Sequence, residues 1–324
     1  MKQKILVTGG LGYIGQHVVK ELFLAGYEPV ILDIKQQIPN KIIKNYCTDI
    51  HLYHDVCNVG HLNQIFSRHK IYGIIHLAGL ISVPESQKNA SQYYTNNVIG
   101  SINVLNAAVT FGIEGPVVFA STAAVYGDAD EYPINENAPR KPMTVYANNK
   151  AMIEDVLIDY NNVHGLKYAV LRFFNVAGGD IEGEFGNPNP DSLISRIVKN
   201  DKSIDIYGND YNTKDGTCER DYIHVNDLST ALVSALLYCE DYNFITCNVG
   251  AGISYTNKEV AERFKKLCNN DFVIRYADRR IGDIQTSLSD ISVAKQQLNF
   301  QPQYSDLDTI LTTAYNWEIN SNHG

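Results

Sequence analysis

The chain has 324 residues, of which 44% are hydrophobic, enough for one large α/β domain or for two lobes that share a core. Its 27 basic and 36 acidic residues give a net charge of −9. This balance argues against general nucleic-acid binding and against binding to an anionic membrane surface, so an anionic ligand would need a local cluster of arginines.

The first predicted strand, residues 5–8, leads directly into a glycine motif formed by Gly9, Gly12 and Gly15, and a helical pattern follows over residues 13–25. Glycines at these positions permit a sharp turn, a close approach of a pyrophosphate to the backbone, and tight packing of the helix. The helix N-terminus would present free N–H groups to the phosphates. Asp33 ends the next strand, residues 30–33, and suits the two hydroxyls of an adenosine ribose. The pattern predicts a dinucleotide site that prefers NAD to NADP.

Four side chains that follow the second predicted strand carry atoms that could bind a metal ion. Cys47, His51, His54 and Cys57 lie close together in sequence and would suit a zinc ion if all four converged on one point. The segment is typical of a strand end and loop, with extended backbone near the adenine. We therefore expect no metal site.

Strands and helices continue to alternate up to about residue 175. Further strands are predicted over residues 74–78, 117–121 and 168–174, and further helices over 61–69, 90–111 and 144–163. Such alternation is typical of right-handed βαβ units. We predict an α/β fold with a Rossmann-type, doubly wound parallel sheet, whose ligands bind beyond the carboxyl ends of the strands.

The pattern becomes less regular after residue 175. Residues 178–191 are rich in Gly, Pro, Asn and acidic residues and are predicted to form a loop. Short strands (204–207, 222–225, 246–249 and 272–276) and helices (226–239 and 257–267) follow. We expect an NAD-binding domain over residues 1–175 and a smaller C-terminal α/β substrate lobe over 176–324, with the chain crossing back between them.

A candidate catalytic group lies near the start of helix 144–163. Tyr146 and Lys150 are four residues apart and therefore share a helical face. A nearby ammonium and an oxidised nicotinamide would lower the phenol pKa by about three units, which needs roughly 4 kcal/mol, so that Tyr146 acts as general base and acid. Lys150 would also bind the cofactor ribose. Thr122, just past strand 117–121, would donate to the substrate oxygen, and Ser121 is its rival for this role.

These features together resemble the extended branch of the short-chain dehydrogenase/reductase superfamily, and within it the UDP-glucose 4-epimerases. The glycine motif, Asp33, the His76–Gly79 segment, Asn96 and the Tyr146/Lys150 pair carry the resemblance in the first half. Residues 172–175, 206–211, 215–224 and 279–283 carry it in the second half. The motifs of the second half are specific to nucleotide-sugar enzymes, whereas the glycine motif is not.

The resemblance implies a reaction and a partner. Tyr146 would take the proton of the sugar 4-hydroxyl while NAD takes hydride from C4 of a UDP-hexose. The 4-keto sugar would turn over and receive the hydride on its opposite face, which interconverts UDP-galactose and UDP-glucose. In the family, helices corresponding to residues 90–111 and 144–163 form a dimer, so a homodimer is expected.

The resemblance also implies the binding residues. Besides the three glycines, Asp33, Tyr146 and Lys150, the expected NAD site consists of Tyr13, Ile14, Asp55, Val56, Leu77, Ala78, Gly79, Asn96 and Phe174. Besides Thr122 and Tyr146, the expected substrate site consists of Asn175, Ser192, Tyr207, Arg220, Arg280, Asp283 and Ser287. The two arginines stay charged and can donate bidentately to a diphosphate.

Three positions depart from the family pattern. Ile81 stands where many members have a lysine that contacts the cofactor phosphates, and Ser192 stands where an asparagine is common. Ser287 stands where some members have a bulky tyrosine near the sugar. A small residue there accompanies acceptance of N-acetylated sugars, so UDP-N-acetylglucosamine and its galactose-configured partner are credible substrates.

Alternatives remain at this point. Sister dehydratases place an Asp-Glu pair where this chain has Ala123 and Ala124, which argues against elimination. A UDP-pentose or UDP-uronate 4-epimerase is an alternative, because the sequence does not indicate which substituent is recognised at C5 of the sugar. A non-catalytic NAD-sensing regulator, which would be expected to lose Tyr146 or Lys150, is the alternative from another class.

The expected location follows from the cysteines and from hydropathy. The six cysteines show no pairing pattern, which indicates reduced thiols, and no apolar run approaches the length of a membrane span. A first strand beginning near Lys4 leaves no place before it for a signal peptide. We therefore expect a cytoplasmic protein.

Overall fold

The strands follow the sequence periodicity closely in the first half of the chain. The computed structural model describes residues 2–189, 192–199, 202–269, 271–280 and 282–321. The strands are β1 (Lys4–Thr8), β2 (Glu28–Leu32), β3 (Asp49–His51), β4 (Ile71–His76), β5 (Val117–Thr122), β6 (Tyr168–Phe173), β7 (Asn175–Ala177), β8 (Ser203–Tyr207), β9 (Glu219–His224), β10 (Phe244–Val249), β11 (Ser254–Thr256), β12 (Val273–Ala277) and β13 (Thr286–Ser287).

The α-helices lie between and after these strands. They are α1 (Tyr13–Leu24), α2 (Val59–Arg68), α3 (Val83–Ser86), α4 (Ala90–Tyr93), α5 (Gly100–Thr110), α6 (Val145–His164), α7 (Leu193–Val198), α8 (Val225–Asp241), α9 (Asn257–Cys268), α10 (Ser292–Gln297) and α11 (Leu307–Ser321). Short 3₁₀-helices cover Lys41–Asn45 and Ala123–Tyr126, and a π-helical turn covers Tyr94–Ile99. Within the described ranges, none of the helices has both the length and the apolar character that crossing a bilayer requires.

Seven parallel strands form the main sheet in the order β10-β6-β5-β4-β1-β2-β3. The chain winds outward from β1 in both directions, so the switch point lies between β1 and β4. Both faces are covered, because Ile5 and Val7 of β1 pack into one core cluster and Leu6 packs into another. The predicted Rossmann-type fold is confirmed.

The second half of the chain contributes to this sheet as well as to a smaller lobe. Strand β10 pairs with β6, and α8 covers one sheet face through residues such as Leu232 and Leu236. The smaller lobe contains the sheet β11-β9-β13, with β7 also paired to β9, and the pair β8-β12. Its own core cluster contains Ile204, Phe264 and Leu311. The domain division at residue 175 remains a prediction.

One predicted element differs in detail. Residues 90–111 form α4, the π-helical turn and α5 rather than one regular α-helix. Asn97 lies buried in that turn, where its side-chain amide accepts from the Leu80 N–H (2.8 Å) and donates to the Leu80 carbonyl (2.9 Å). In the predicted loop 178–191, residues 178–189 contain no helix or strand, and Pro190 and Asp191 lie outside the described residues.

Candidate active site

A cavity of about 580 Å³ opens at the carboxyl ends of the central strands, at the switch point between β1 and β4. Every residue that was predicted to bind the dinucleotide lines it. These residues are Gly9, Gly12, Tyr13, Ile14, Gly15, Asp33, Asp55, Val56, Leu77, Ala78, Gly79, Asn96, Tyr146, Lys150 and Phe174. The cavity therefore joins the glycine motif to the catalytic pair.

Backbone crowding explains the glycines at one end of this cavity. A Cβ on Gly15 would lie 2.2 Å from the Gly9 carbonyl oxygen, and Gly9 itself has a φ of +70°. A Cβ on Gly9 would also lie 3.0 Å from the Ala78 nitrogen. The turn is consequently a cradle of bare backbone at a helix N-terminus, which fits the pyrophosphate of a dinucleotide.

Asp33 ties this turn to the end of β2. Its carboxylate accepts from the Leu11 N–H (2.9 Å) and from the Lys35 N–H (3.0 Å) while it faces the cavity. The Lys35 ammonium donates to the Leu11 carbonyl at 2.6 Å, so it closes the same end of the turn. Lys35 also lines the cavity and was not predicted to do so, although its position two residues after Asp33 could have indicated it.

Tyr146 and Lys150 project into the other end of the cavity from the first turns of α6. Thr144 caps the helix by accepting from the Ala147 N–H at 3.2 Å. Burial raises the pKa of the Tyr146 phenol to about 12, and a hydrogen bond with Thr122 acts in the opposite direction. The neighbouring hydroxyl, Ser121, donates instead to Glu154 at 2.5 Å. Of the two rivals, Thr122 is the one beside the phenol.

Lys150 is almost fully buried against β5. Its ammonium donates to the Ala120 carbonyl at 2.7 Å and lies 4.7 Å from the centre of the Phe119 ring. Burial lowers the pKa of Lys150 to about 8, although the Glu154 carboxylate raises it. The expected lowering of the Tyr146 pKa is thus not produced by these side chains alone, and it requires the further positive charge of an oxidised nicotinamide.

A buried ion-pair network lies beneath the catalytic pair and was not predicted. Glu154, one helical turn after Lys150, is 3% exposed and accepts from the Arg172 Nε (3.1 Å) and Nη2 (2.7 Å). Arg140 also donates to Glu154 at 3.2 Å, and Arg172 donates to the Tyr126 hydroxyl at 2.8 Å. The network fixes β5, β6 and α6 relative to one another.

A second cavity, of about 220 Å³, adjoins the first, because Val176 and Ser192 line both. Six of the residues predicted to bind substrate line this second cavity. They are Asn175, Ser192, Tyr207, Arg220, Arg280 and Asp283. Arg196 lines it too and was not predicted.

The second cavity is rich in cations suited to a diphosphate. The Arg280 guanidinium lies 3.6 Å from the centre of the Tyr207 ring, and its hydrogen bond lowers the pKa of that phenol. Arg220 lies 3.7 Å from the Asp283 carboxylate. Planar guanidinium groups in such a cavity favour bidentate phosphate binding.

One expectation needs correction. Ser287 does not line either cavity, because it lies in the two-residue strand β13, is 4% exposed and pairs in register with Arg220 of β9. The group of Cys47, His51, His54 and Cys57 does not converge among the described residues. Cys47 packs against a core cluster, and the Cys57 thiol donates to a backbone carbonyl.

The structure places one residue that departs from the family pattern and one residue of the family motifs. Ile81 is largely exposed at the rim of the dinucleotide cavity, so this position supplies no cation. His76 is buried and hydrogen-bonded to the hydroxyls of Thr8 (2.6 Å) and Ser101 (2.8 Å). Burial and the Lys150 charge lower the His76 pKa to about 3, so its role is to connect β1, β4 and α5 as a neutral ring.

The parallel sheet, the glycine cradle and the Tyr146/Lys150 pair define an enzyme of the extended short-chain dehydrogenase/reductase class. Residues 6–313 match the family described as GDP-mannose 4,6 dehydratase, and the chain belongs to this family. It is 38% identical over 327 residues to the UDP-glucose 4-epimerase of Rhizobium meliloti, covering 99% of this chain and 98% of that protein.

Solved structures agree with the sequence comparison. The UDP-glucose 4-epimerase of Stenotrophomonas maltophila, which holds NAD and a formylated UDP-arabinopyranose, matches with a TM-score of 0.93 at 32% identity over 99% of both chains. The UDP-Glc/GlcNAc 4-epimerase of Campylobacter jejuni matches with a TM-score of 0.85 at 34% identity, covering 98% of this chain and 99% of that one.

Proposed function

We propose that the chain is an isomerase that uses NAD for the 4-epimerisation of a UDP-hexose, interconverting UDP-galactose and UDP-glucose through a 4-keto sugar. One observation carries this proposal: the predicted cofactor residues and six predicted UDP residues line two adjoining cavities, with Tyr146 and Thr122 in the first. A sugar attached to a diphosphate in the second cavity would extend toward Tyr146.

In this proposal the chain's residues move and hold protons at the sugar 4-oxygen. NAD, held by the residues that line the first cavity, would supply a hydride acceptor at C4 and would give the hydride back to the opposite face. Tyr146 takes the proton from the 4-hydroxyl and returns it to the 4-oxygen after the sugar has turned over. Thr122 holds that oxygen through its hydroxyl, and the positive charge of Lys150 stabilises the phenolate.

Anchoring at the diphosphate allows the keto sugar to rotate without leaving. Arg220 and Arg280 line the second cavity, whereas Tyr146 and Lys150 line the first. Charge-assisted bonds to the phosphates hold this end of the substrate, whereas the sugar needs freedom to present either face of C4. The separation of the two cavities suits that division.

The test is incubation of the purified protein with UDP-galactose and chromatographic detection of UDP-glucose. Conversion without any added reductant supports the proposal. A 4-keto-6-deoxy product would indicate a dehydratase instead, against which stand Ala123 and Ala124, where no carboxylate follows Thr122. Complete absence of turnover with NAD retained would favour the NAD-sensing regulator.

Arg280 is expected to be needed for UDP binding. Replacing it with Met (Arg280→Met) removes a charged donor whose bonds contribute about 1.5–3 kcal/mol, so KM and the dissociation constant of UDP should rise by about 10- to 100-fold. Calorimetric titration with UDP measures this change. Arg279→Met is the matched control, because Arg279 is bonded to Asp210 outside the cavity lining and its loss should leave UDP binding unchanged.

The N-acetylated pair of UDP-sugars is a second candidate substrate. The likeness to the UDP-Glc/GlcNAc 4-epimerase of Campylobacter jejuni supports it, whereas Ser287 no longer does. The bound formylated UDP-arabinopyranose of the Stenotrophomonas maltophila protein likewise keeps a UDP-pentose in consideration. Comparing turnover of UDP-galactose, UDP-N-acetylgalactosamine and UDP-arabinose ranks the three, and we expect UDP-galactose to be the fastest.

We also propose a homodimer formed through the segments 90–111 and 144–163, which contain α5 and α6. Exposed apolar side chains lie in both segments, with Ile99 just before α5 and Met152, Ile158 and Val163 on α6. Burying them against a second copy removes apolar surface from water. We expect a dimer by light scattering at micromolar concentration and a shift to monomer in Met152→Glu. A monomeric wild-type protein would contradict this proposal.

Cytoplasmic location and a role in galactose metabolism complete the proposal. All six cysteines are free thiols, and Cys218, Cys239 and Cys247 are buried, which suits a reducing compartment. Interconversion of UDP-galactose and UDP-glucose links galactose to glucose metabolism. Cell fractionation should place the protein with cytoplasmic markers.

A further inference from the structure

Three side chains with metal-binding atoms meet outside both cavities. Asp49 and His51 lie two residues apart in the edge strand β3 and so share one face, and His69 follows the end of α2. The Nε2 atoms of His51 and His69 are 3.3 Å apart. The Asp49 Oδ2 lies 3.2 Å from the His69 Nε2 and 3.5 Å from the His51 Nε2. Both imidazoles are buried, with 6% and 7% exposure.

Hydrogen bonds cannot satisfy all three contacts of this triangle when both imidazoles are neutral and Asp49 is ionised. Each neutral imidazole has only one N–H. If one Nε2 carries its proton, the other Nε2 and the Asp49 oxygen face each other with lone pairs, and if both carry protons, the two protons face each other. Three ligands around a tetrahedral zinc ion at its usual bond lengths of about 2.0–2.2 Å are separated from one another by roughly 3.3–3.5 Å. The three observed separations, 3.2, 3.3 and 3.5 Å, lie within about 0.1 Å of this range.

We propose that Asp49, His51 and His69 bind a divalent transition-metal ion, with zinc as the best-suited ion and water in the fourth position. Two imidazoles and a carboxylate form a donor set that zinc accepts, and softer or harder ions are less suited to it. This site differs from the Cys47–Cys57 group considered from sequence, since His69 comes from the end of a helix that follows.

The surroundings favour an exchangeable ion over a permanently held one. The Arg68 guanidinium lies 3.5 Å from Asp49 Oδ2, but its side chain is 64% exposed and can turn into solvent. Within the described part of the chain, the buried Nδ1 of His69 has no hydrogen-bond partner to orient the ring. Zinc should consequently be removable by a chelator and restored by titration.

The site is connected to the dinucleotide cavity through the sheet. His51 pairs with Leu32 of β2, and its carbonyl accepts from the Asp33 N–H at 3.1 Å. Asp33 in turn holds the glycine turn through Leu11. A metal that fixes β3 to the end of α2 therefore stabilises the edge that supports Asp33, without touching substrate or cofactor.

The test uses the purified full-length protein with its bound cofactor, stripped of metal by a chelator and titrated with zinc chloride. We expect one zinc per chain and a higher thermal midpoint, because the ion binds only the folded site. His69→Gln and Asp49→Asn should each weaken zinc binding by at least about 10- to 100-fold, the loss that even outer partners of a ligand cause. His164→Gln, which removes an exposed histidine of α6, should bind like the wild type.

A second measurement identifies the ligands independently of folding stability. Cobalt(II) in a tetrahedral site with nitrogen and oxygen ligands should give visible absorption that His69→Gln abolishes. Absence of zinc binding in the wild type would overturn the proposal. Binding that persists unchanged in both His69→Gln and Asp49→Asn, or that is lost in Cys47→Ser instead, would overturn it as well.

Discussion

Replacement of Tyr146 by phenylalanine is expected to lower kcat for UDP-galactose conversion by about 10²- to 10⁴-fold, the usual contribution of a positioned acid–base group. In the proposed mechanism the phenol oxygen exchanges a proton with the sugar 4-oxygen, and Phe keeps the ring while removing that oxygen. The Thr122 hydroxyl cannot replace this oxygen, because an aliphatic alcohol is a far weaker acid than a phenol. Initial rates at saturating UDP-galactose measure the effect.

The control for this experiment lies on the same helix. Tyr160 also carries a phenol on α6, but its hydroxyl donates to Asn106 at 2.7 Å, and it does not line the dinucleotide cavity. Tyr160→Phe should therefore leave kcat unchanged. NAD and UDP should remain bound to Tyr146→Phe, since the glycine turn and the arginines are intact. Equal activity of the Tyr146→Phe and Tyr160→Phe proteins would show that Tyr146 does not transfer the proton.

Replacement of Glu154 by glutamine is expected to destabilise the fold by about 3–5 kcal/mol, because it leaves the buried Arg172 guanidinium without its counter-charge. Glutamine has nearly the same volume as glutamate, so the loss of stability comes from the missing charge and not from a cavity. Urea unfolding followed by circular dichroism measures the free energy of unfolding. Asp155→Asn removes the same charge one residue later, at a side chain that is 58% exposed, and should cost less than about 1 kcal/mol.

The same variant should change the pH dependence of turnover. The Glu154 carboxylate raises the pKa of Lys150, which burial has lowered to about 8. Without that negative charge the Lys150 pKa falls further, so the ammonium is lost at a lower pH. The alkaline limb of the kcat/KM profile should consequently move to lower pH. Equal stability and identical profiles for Glu154→Gln and Asp155→Asn would contradict both expectations.

The first half of the fold was predictable because local patterns determine it. Apolar periodicity and turn glycines identify each strand and helix, and the carboxyl ends of parallel strands must share one edge of a sheet. The dinucleotide residues follow from that edge together with the motif resemblance. All of them line one cavity, which runs from Gly9 at one end to Lys150 at the other.

Features that depend on tertiary partners were not predictable. The position of Ser287 depends on the register of a two-residue strand, which no periodicity specifies. Glu154 and Asn97 look like ordinary polar residues until Arg172 and the Leu80 backbone are placed beside them. His69 lies 18 residues after His51, so the meeting of the two rings arises only when α2 returns to the sheet edge.

The central claim is that one hydride leaves C4 of the sugar and returns to the same carbon within a closed site. UDP-galactose carrying deuterium at C4 tests it directly, with the product analysed by mass spectrometry and proton NMR. We predict UDP-glucose that retains the deuterium at C4, because the hydride never exchanges with water. Product with hydrogen at C4 drawn from the solvent, or no UDP-glucose at all, would contradict the account.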